Sequence, residues 1–205
     1  MSWERGWRAT LLCVLWCGPG GEPVAAQTTF EACEAWLDEE PDSESAARCF
    51  YEVARDVGTH DDAARRLQRR ILEQPENPGL RLYLGNIESL RRSCENSLEA
   101  YRQSIHLFEQ QEAWADVNRA RTSLAWELAI CGELESSREA LDQASASAES
   151  LADALAILRV QLVDLRLQTY EGDIERAYEE LADLWLWEVD RAVLDDRLGI
   201  ADLRR

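Results

Sequence analysis

The chain has 205 residues, 46% of them hydrophobic, enough for one domain with a sizeable core. Forty acidic residues against 22 basic ones give a formal net charge of −18, which repels phosphate backbones and anionic lipid and argues against nucleic-acid or membrane-surface binding. With only 5 prolines and 10 glycines, several of them in the first 23 residues, the remainder reads as long helices joined by short loops.

Residues 1–26 read as a signal peptide. Arg5 and Arg8 precede the apolar run Ala9–Cys17, then Gly-Pro-Gly-Gly, and the segment closes on Val24-Ala25-Ala26, small residues that invite cleavage before Gln27. The run is too short to span a bilayer, so no membrane insertion is expected beyond this segment. The expected location is secreted or periplasmic. The alternative is a lipoprotein anchored at Cys17, against which stands Trp16, bulkier than the residue normally found before a lipidated cysteine.

The mature chain follows in order. A capping helix is expected within 27–43, near 28–39. Helices then follow near 43–57, 60–74, 78–91, 95–110, 113–131, 134–148, 151–171 and 173–187, with a tail helix over 189–203. Pro41, Gly58, Pro75, Pro78, Gly132 and Gly172 mark the turns. The repeat domain is placed at 44–197 and a C-terminal tail at 198–205.

Internal periodicity organises this stretch. Gly132-Glu133-Leu134-Glu135 recurs forty residues later as Gly172-Asp173-Ile174-Glu175, and Ser137, Leu141 and Ala144 answer to Ala177, Leu181 and Leu184. Upstream, Ser97, Tyr101 and Ser104, then Ala63 and Leu67, occupy the same phase. Each unit offers a small residue and a large one four later on one helix face, the pattern of two closely packed antiparallel helices. The first helices show matching columns at Phe50-Tyr51, Leu84-Gly85 and Leu124-Ala125, degrading to Asp164-Leu165 in the last unit.

Leu84-Gly85, Ser97, Tyr101, Ser104 and Ile105, like Phe50-Tyr51, Ala54, Gly58, Ala63, Leu67, Ile71 and Pro75, resemble the tetratricopeptide repeat. Ala32 through Trp36, Cys49 through Ala54, Asn77-Pro78 and Leu82 through Asn86 are similar to repeat regions that precede caspase-like CHAT domains; the CHAT domain itself is absent from this sequence. The resemblance implies an all-α fold, a right-handed α-solenoid of about four helix-turn-helix repeats with an N-terminal capping helix and a C-terminal tail helix. It also implies a concave groove lined by the first helices of successive units.

No catalytic residue and no metal site is expected. His60 and His106 are the only histidines, and none of the four mature cysteines sits in a nucleophile motif. His60-Asp61-Asp62 sets its groups side by side, whereas helical ligands need spacings of three or four; Asp38-Glu39-Glu40-Pro41-Asp42 lacks the glycine and distal glutamate of a calcium loop. No cofactor is implied. Most aromatic residues read as core, but Trp126 is expected to face the groove and to matter for binding more than for stability. Arg48, Asn86, Arg119, Arg159 and Arg166 join it there, with Glu44, Glu52 and Asp56 at the amino-terminal end. A locally basic middle and distal groove suits an extended peptide carboxylate, although the same arginines could simply pair with acids on neighbouring helices.

Cys33, Cys49, Cys94 and Cys131 allow three disulfide connectivities or four free thiols. Cys33 and Cys49 lie eight residues either side of Pro41 and face one another across a hairpin. Cys94 opens one unit's second helix and Cys131 closes the next unit's first, on the same edge. The predicted pairs are Cys33–Cys49 and Cys94–Cys131. The functional expectation is an exported, non-enzymatic adaptor that binds a peptide or protein partner. The alternative is a sensor half of a CHAT-type caspase-like protease system.

Overall fold

A computed structural model describes residues 29–177 and 179–180. The expected signal peptide, the expected tail and the end of the expected 173–187 helix therefore lie outside the described residues. Eight helices occupy the described part: α1 (Phe30–Glu39), α2 (Glu44–Val57), α3 (His60–Glu73), α4 (Pro78–Leu90), α5 (Cys94–Gln110), α6 (Trp114–Ile130), α7 (Leu134–Ser150) and α8 (Ala154–Glu171). A further helical segment begins at 174, and the described residues contain no strand. The helices stack as a right-handed α-solenoid. The pairs α2–α3, α4–α5 and α6–α7 form successive units, α8 opens the fourth, and α1 caps the amino-terminal end.

Local chemistry sets these boundaries. Thr29, Ser43, Asn77 and Asp153 accept backbone N–H groups at the starts of α1, α2, α4 and α8, and Pro78 fills the first position of α4, where its missing N–H costs nothing. Each helix from α4 to α7 ends in one three-residue turn. After α4, Arg92 N–H donates to Ser89 O and Ser93 N–H to Glu88 O; the same pair of bonds recurs after α5, α6 and α7. This is the Schellman arrangement, and its central residue must be left-handed. Gly132 fills that place at φ 87, but Arg92, Glu112 and Ala152 adopt it without glycine at φ 58, 56 and 50. Leu151-Ala152-Asp153 form the turn before α8, so α8 starts at Ala154 and not at 151.

Packing follows the small-then-large pattern. Gly85 lies so close to the Tyr101 ring that an added Cβ would stand 2.8 Å from it, and the Tyr101 hydroxyl donates to Asn86 at 2.8 Å. Phe30 stacks on Phe50 at 6.1 Å between α1 and α2. Arg66 on α3 bonds Glu31 and Glu34 of α1 while lying over the Phe30 ring, which fastens the cap to the first unit. The cysteines join as Cys33–Cys49, with Cα atoms 5.5 Å apart, and Cys94–Cys131, 5.8 Å apart. Both spans lie within the reach of a disulfide.

Candidate ligand groove

The residues anticipated for a groove lie on α2, α4, α6 and α8, the first helices of the successive units. Glu44, the first residue of α2, reaches past Gly79 of α4, whose Cβ position would meet its side chain at 3.8 Å. There it accepts from the Tyr83 hydroxyl at 2.7 Å and from Arg119 of α6. A bond between residues 75 apart in sequence thus ties the first unit to the third. Burial raises the Glu44 pKa, but bonding to Arg119 and Tyr83, with Arg48 nearby, outweighs it and holds the carboxyl below its ordinary value. Asp116 Oδ1 lies 3.0 Å from Arg119, close enough for charge pairing though off the angle of a hydrogen bond. Burial dominates there and pushes the Asp116 pKa up. Beside this cluster lies a cleft of about 390 Å³ lined by Glu44, Asn77, Gly79, Phe108, Gln111 and Asp116.

The other anticipated groove residues divide into two sets. Arg48 is exposed and bound to Glu52 at 2.7 Å, and Asp56 pairs with Arg55 at 3.2 Å. Arg119 is occupied by Glu44. The middle of the groove is therefore internally neutralised, and the basic stretch shrinks to α8. Arg159 and Arg166 form no ion pair among the described residues, and Asn86 accepts from Tyr101 through its oxygen while its amide N–H2 donates to no described residue. Arg159 is half-buried; burial and the nearby Arg119 guanidinium both lower its pKa, with Asp153, Glu44 and Asp116 too distant to pair but close enough to offset part of the cost. Arg166 lies 5.7 Å from the Trp126 ring centroid. Trp126 is half-buried and packs against the distal core, so its ring contributes to stability.

Glu127 escaped the sequence reading. It falls in the apolar run Leu124–Leu128 yet is 1% exposed, at the edge of the array beside Cys94 and Cys131. Its four-residue spacing from Cys131 was the available signal, since such pairs share a helix face. Among the described residues, Cys94, Glu127 and Cys131 are the group whose ligand atoms converge closely enough for a metal ion.

No protein-family model matches the sequence, and no curated protein matches it. Among solved structures the chain is similar to a Podospora anserina kinesin light chain with nearly identical TPR-like repeats. The TM-score is 0.56 at 16% identity, over 86% of this chain and 87% of that one. It is also similar to MamA protein, with a TM-score of 0.49 at 15% identity, over 84% and 83% of the two chains. At these identities the likeness concerns the fold. The chain has the fold of tetratricopeptide-like repeats.

Proposed function

We propose that this protein is an exported adaptor whose distal groove holds an extended peptide of a partner protein through one carboxylate. The observation that carries this reading is Arg159, half-buried and without an ion pair among the described residues, with Arg166 on the same helix and Trp126 beneath Arg166. A guanidinium that is partly desolvated and crowded by another cation gains more from an arriving carboxylate than an exposed one does. Trp126 then offers an apolar seat, and the Asn86 amide a donor to the peptide backbone. An isolated carboxylate suits the site better than an acidic run, because the net charge of −18 repels polyanions at long range. Two disulfides are consistent with an oxidising, exported location. An amino-terminal mass beginning at Gln27, against a lipidated Cys17, separates plain secretion from anchoring.

The CHAT-associated alternative rests on the sequence resemblance alone, and the adaptor reading is the one carried forward. Its test is a selection of extended peptides with free and amidated carboxyl ends. Peptides selected by the wild type should lose about tenfold or more in affinity against Arg159→Ala/Arg166→Ala, with Tm unchanged. Arg48→Ala should leave affinity as it was, because Arg48 is already paired to Glu52. Peptides that bind the α8 double variant as tightly as the wild type would overturn the groove reading.

A further inference from the structure

The two disulfides sit in different chemical settings. Cys33 and Cys49 are 0% and 5% exposed inside the apolar core. Cys94 and Cys131 are half-buried at an edge of the array, and their sulfurs lie within 4.8 Å of the Glu127 carboxylate. Glu127 is itself buried, and its Oε1 accepts from the equally buried Ser97 hydroxyl at 2.5 Å. Its Oε2 has no donor within reach among the described residues. A buried carboxylate oxygen without a partner costs free energy that a merely structural disulfide does not require.

The donor set explains the arrangement. Two thiolates and one carboxylate suit a four-coordinate borderline divalent ion of the zinc class, leaving one position for water. Glu127 and Cys131 stand one helical turn apart, and Ser97 fixes the carboxylate through Oε1 while Oε2 stays available, as an outer-shell hydrogen bond does for metal ligands. Both cysteines lie at helix ends, Cys94 first in α5 and Cys131 just after α6, so the sulfurs can part to the roughly 3.8 Å that a tetrahedral ion with bonds of about 2.3 Å demands.

We propose that this corner exists in two exclusive states, a Cys94–Cys131 disulfide and a reduced site in which Cys94, Cys131 and Glu127 bind a zinc-class ion. A dithiol reductant carries the chain between them. Its two sulfurs join in a disulfide while the Cys94–Cys131 bond takes up two electrons and two protons, and metal binding then releases those two thiol protons to solvent. Cys33–Cys49 has no such carboxylate beside it among the described residues and serves as the internal control.

The test uses the full chain carrying Cys13→Ser and Cys17→Ser, which removes the thiols outside the described residues. An immobilised dithiol reduces the protein and is then removed, and alkylation of an aliquot maps the opened pair. Cobalt(II) is titrated in under argon, followed by zinc(II). The expected result is one equivalent of cobalt with a thiolate charge-transfer band that zinc abolishes. Oxidised protein should show no such band. Cys94→Ser/Cys131→Ser should lose the band, and the near-isosteric Glu127→Gln should weaken binding by about tenfold or more. Absence of a saturable band in the reduced wild type would overturn the assignment. So would a band of equal affinity in Glu127→Gln, or one that survives in Cys94→Ser/Cys131→Ser. If reduction lowers the helical circular dichroism, one equivalent of zinc must restore it in the wild type and not in Glu127→Gln; failure to do so counts equally against the site.

Discussion

From Phe30 to Ala120 the buried apolar side chains form one continuous cluster that includes Phe50, Leu67, Leu80 and Ile87. Beyond it the core contracts to Ala125, Ala129, Leu141, Ala144, Val160 and Leu167. The first half is held by large side chains that interlock. The second brings backbones close over alanine and serine, and fills the remaining contacts with polar bonds: Asn118 to the Ala144 carbonyl, Ser137 to the Ala125 carbonyl, and Gln168 to Asp164. Both disulfides and the cap fastened by Arg66 belong to the first half or its boundary. A solenoid's stability is a sum of local unit and interface terms, so it need not be uniform along the array. The cations of the proposed groove that have no ion pair among the described residues, Arg159 and Arg166, lie on α8, in the less consolidated half, where a peptide bound as proposed would contribute order that the apolar core does not.

The largest test of this contrast is truncation in each core. Phe50→Ala should cost about 3–5 kcal/mol, because a wholly buried ring stacked on Phe30 is lost. Leu141→Ala should cost about 2 kcal/mol, the low end for such a change, because its alanine-rich surroundings can close over the gap. Denaturant midpoints measure both, and equal costs would remove the distinction between the halves. Next in size, Cys33→Ala/Cys49→Ala opens a crosslink with a sequence separation of 16 and should cost about 3 kcal/mol or somewhat less. Native-state hydrogen exchange should show that loss in α1 and α2, while α7 and α8 exchange as they do in the wild type.

A smaller effect, of opposite sign, is expected at the turn before α8. Ala152 holds φ 50 on an exposed turn, so Ala152→Gly should stabilise the chain by about 1 kcal/mol and raise Tm, narrowing the gap between the halves. The smallest effect concerns Glu44. Its folded pKa lies below the unfolded one, so its contribution is fully present above the ordinary carboxylate range and is lost as pH falls through the lower folded value. Glu44→Gln should therefore be slightly less stable than the wild type at neutral pH, and the two should converge under acid. A difference that grows on acidification would show that Arg119 does not govern this carboxyl.

Much of the helical plan was legible because proline and glycine marked it. Pro78, Gly58, Gly132 and Gly172 stand where a helix starts or stops. The forty-residue echo around Gly132 and Gly172 was visible for the same reason. At Arg92, Glu112 and Ala152 an identical turn is made by residues with no such signature, which is why the start of α8 was placed three residues early. The groove was less legible still. Face and phase follow from periodicity, but whether an arginine is free depends on a partner that periodicity cannot name. Arg119 is claimed by Glu44 from two units away, whereas Arg159, one unit further on, meets no carboxylate within bonding distance among the described residues. Glu127 was hidden by its apolar neighbours, and only its spacing from Cys131 could have singled it out.

The recurring three-residue turn has a further consequence. It hands the chain to the next helix in the same way whatever the length of the helix before it, and the array uses that freedom. α4 has 13 residues and α6 has 17, a difference of one helical turn, while the turns that close them are the same. The extra turn lengthens an inner helix, and with it the proposed binding face, by about 6 Å at 1.5 Å per residue. Such a chain behaves as a tiling. A tile can be copied, dropped or stretched by a whole turn, and the tile that follows still lands in place. New reach along the ligand can thus be gained by insertion alone, without redesigning any joint.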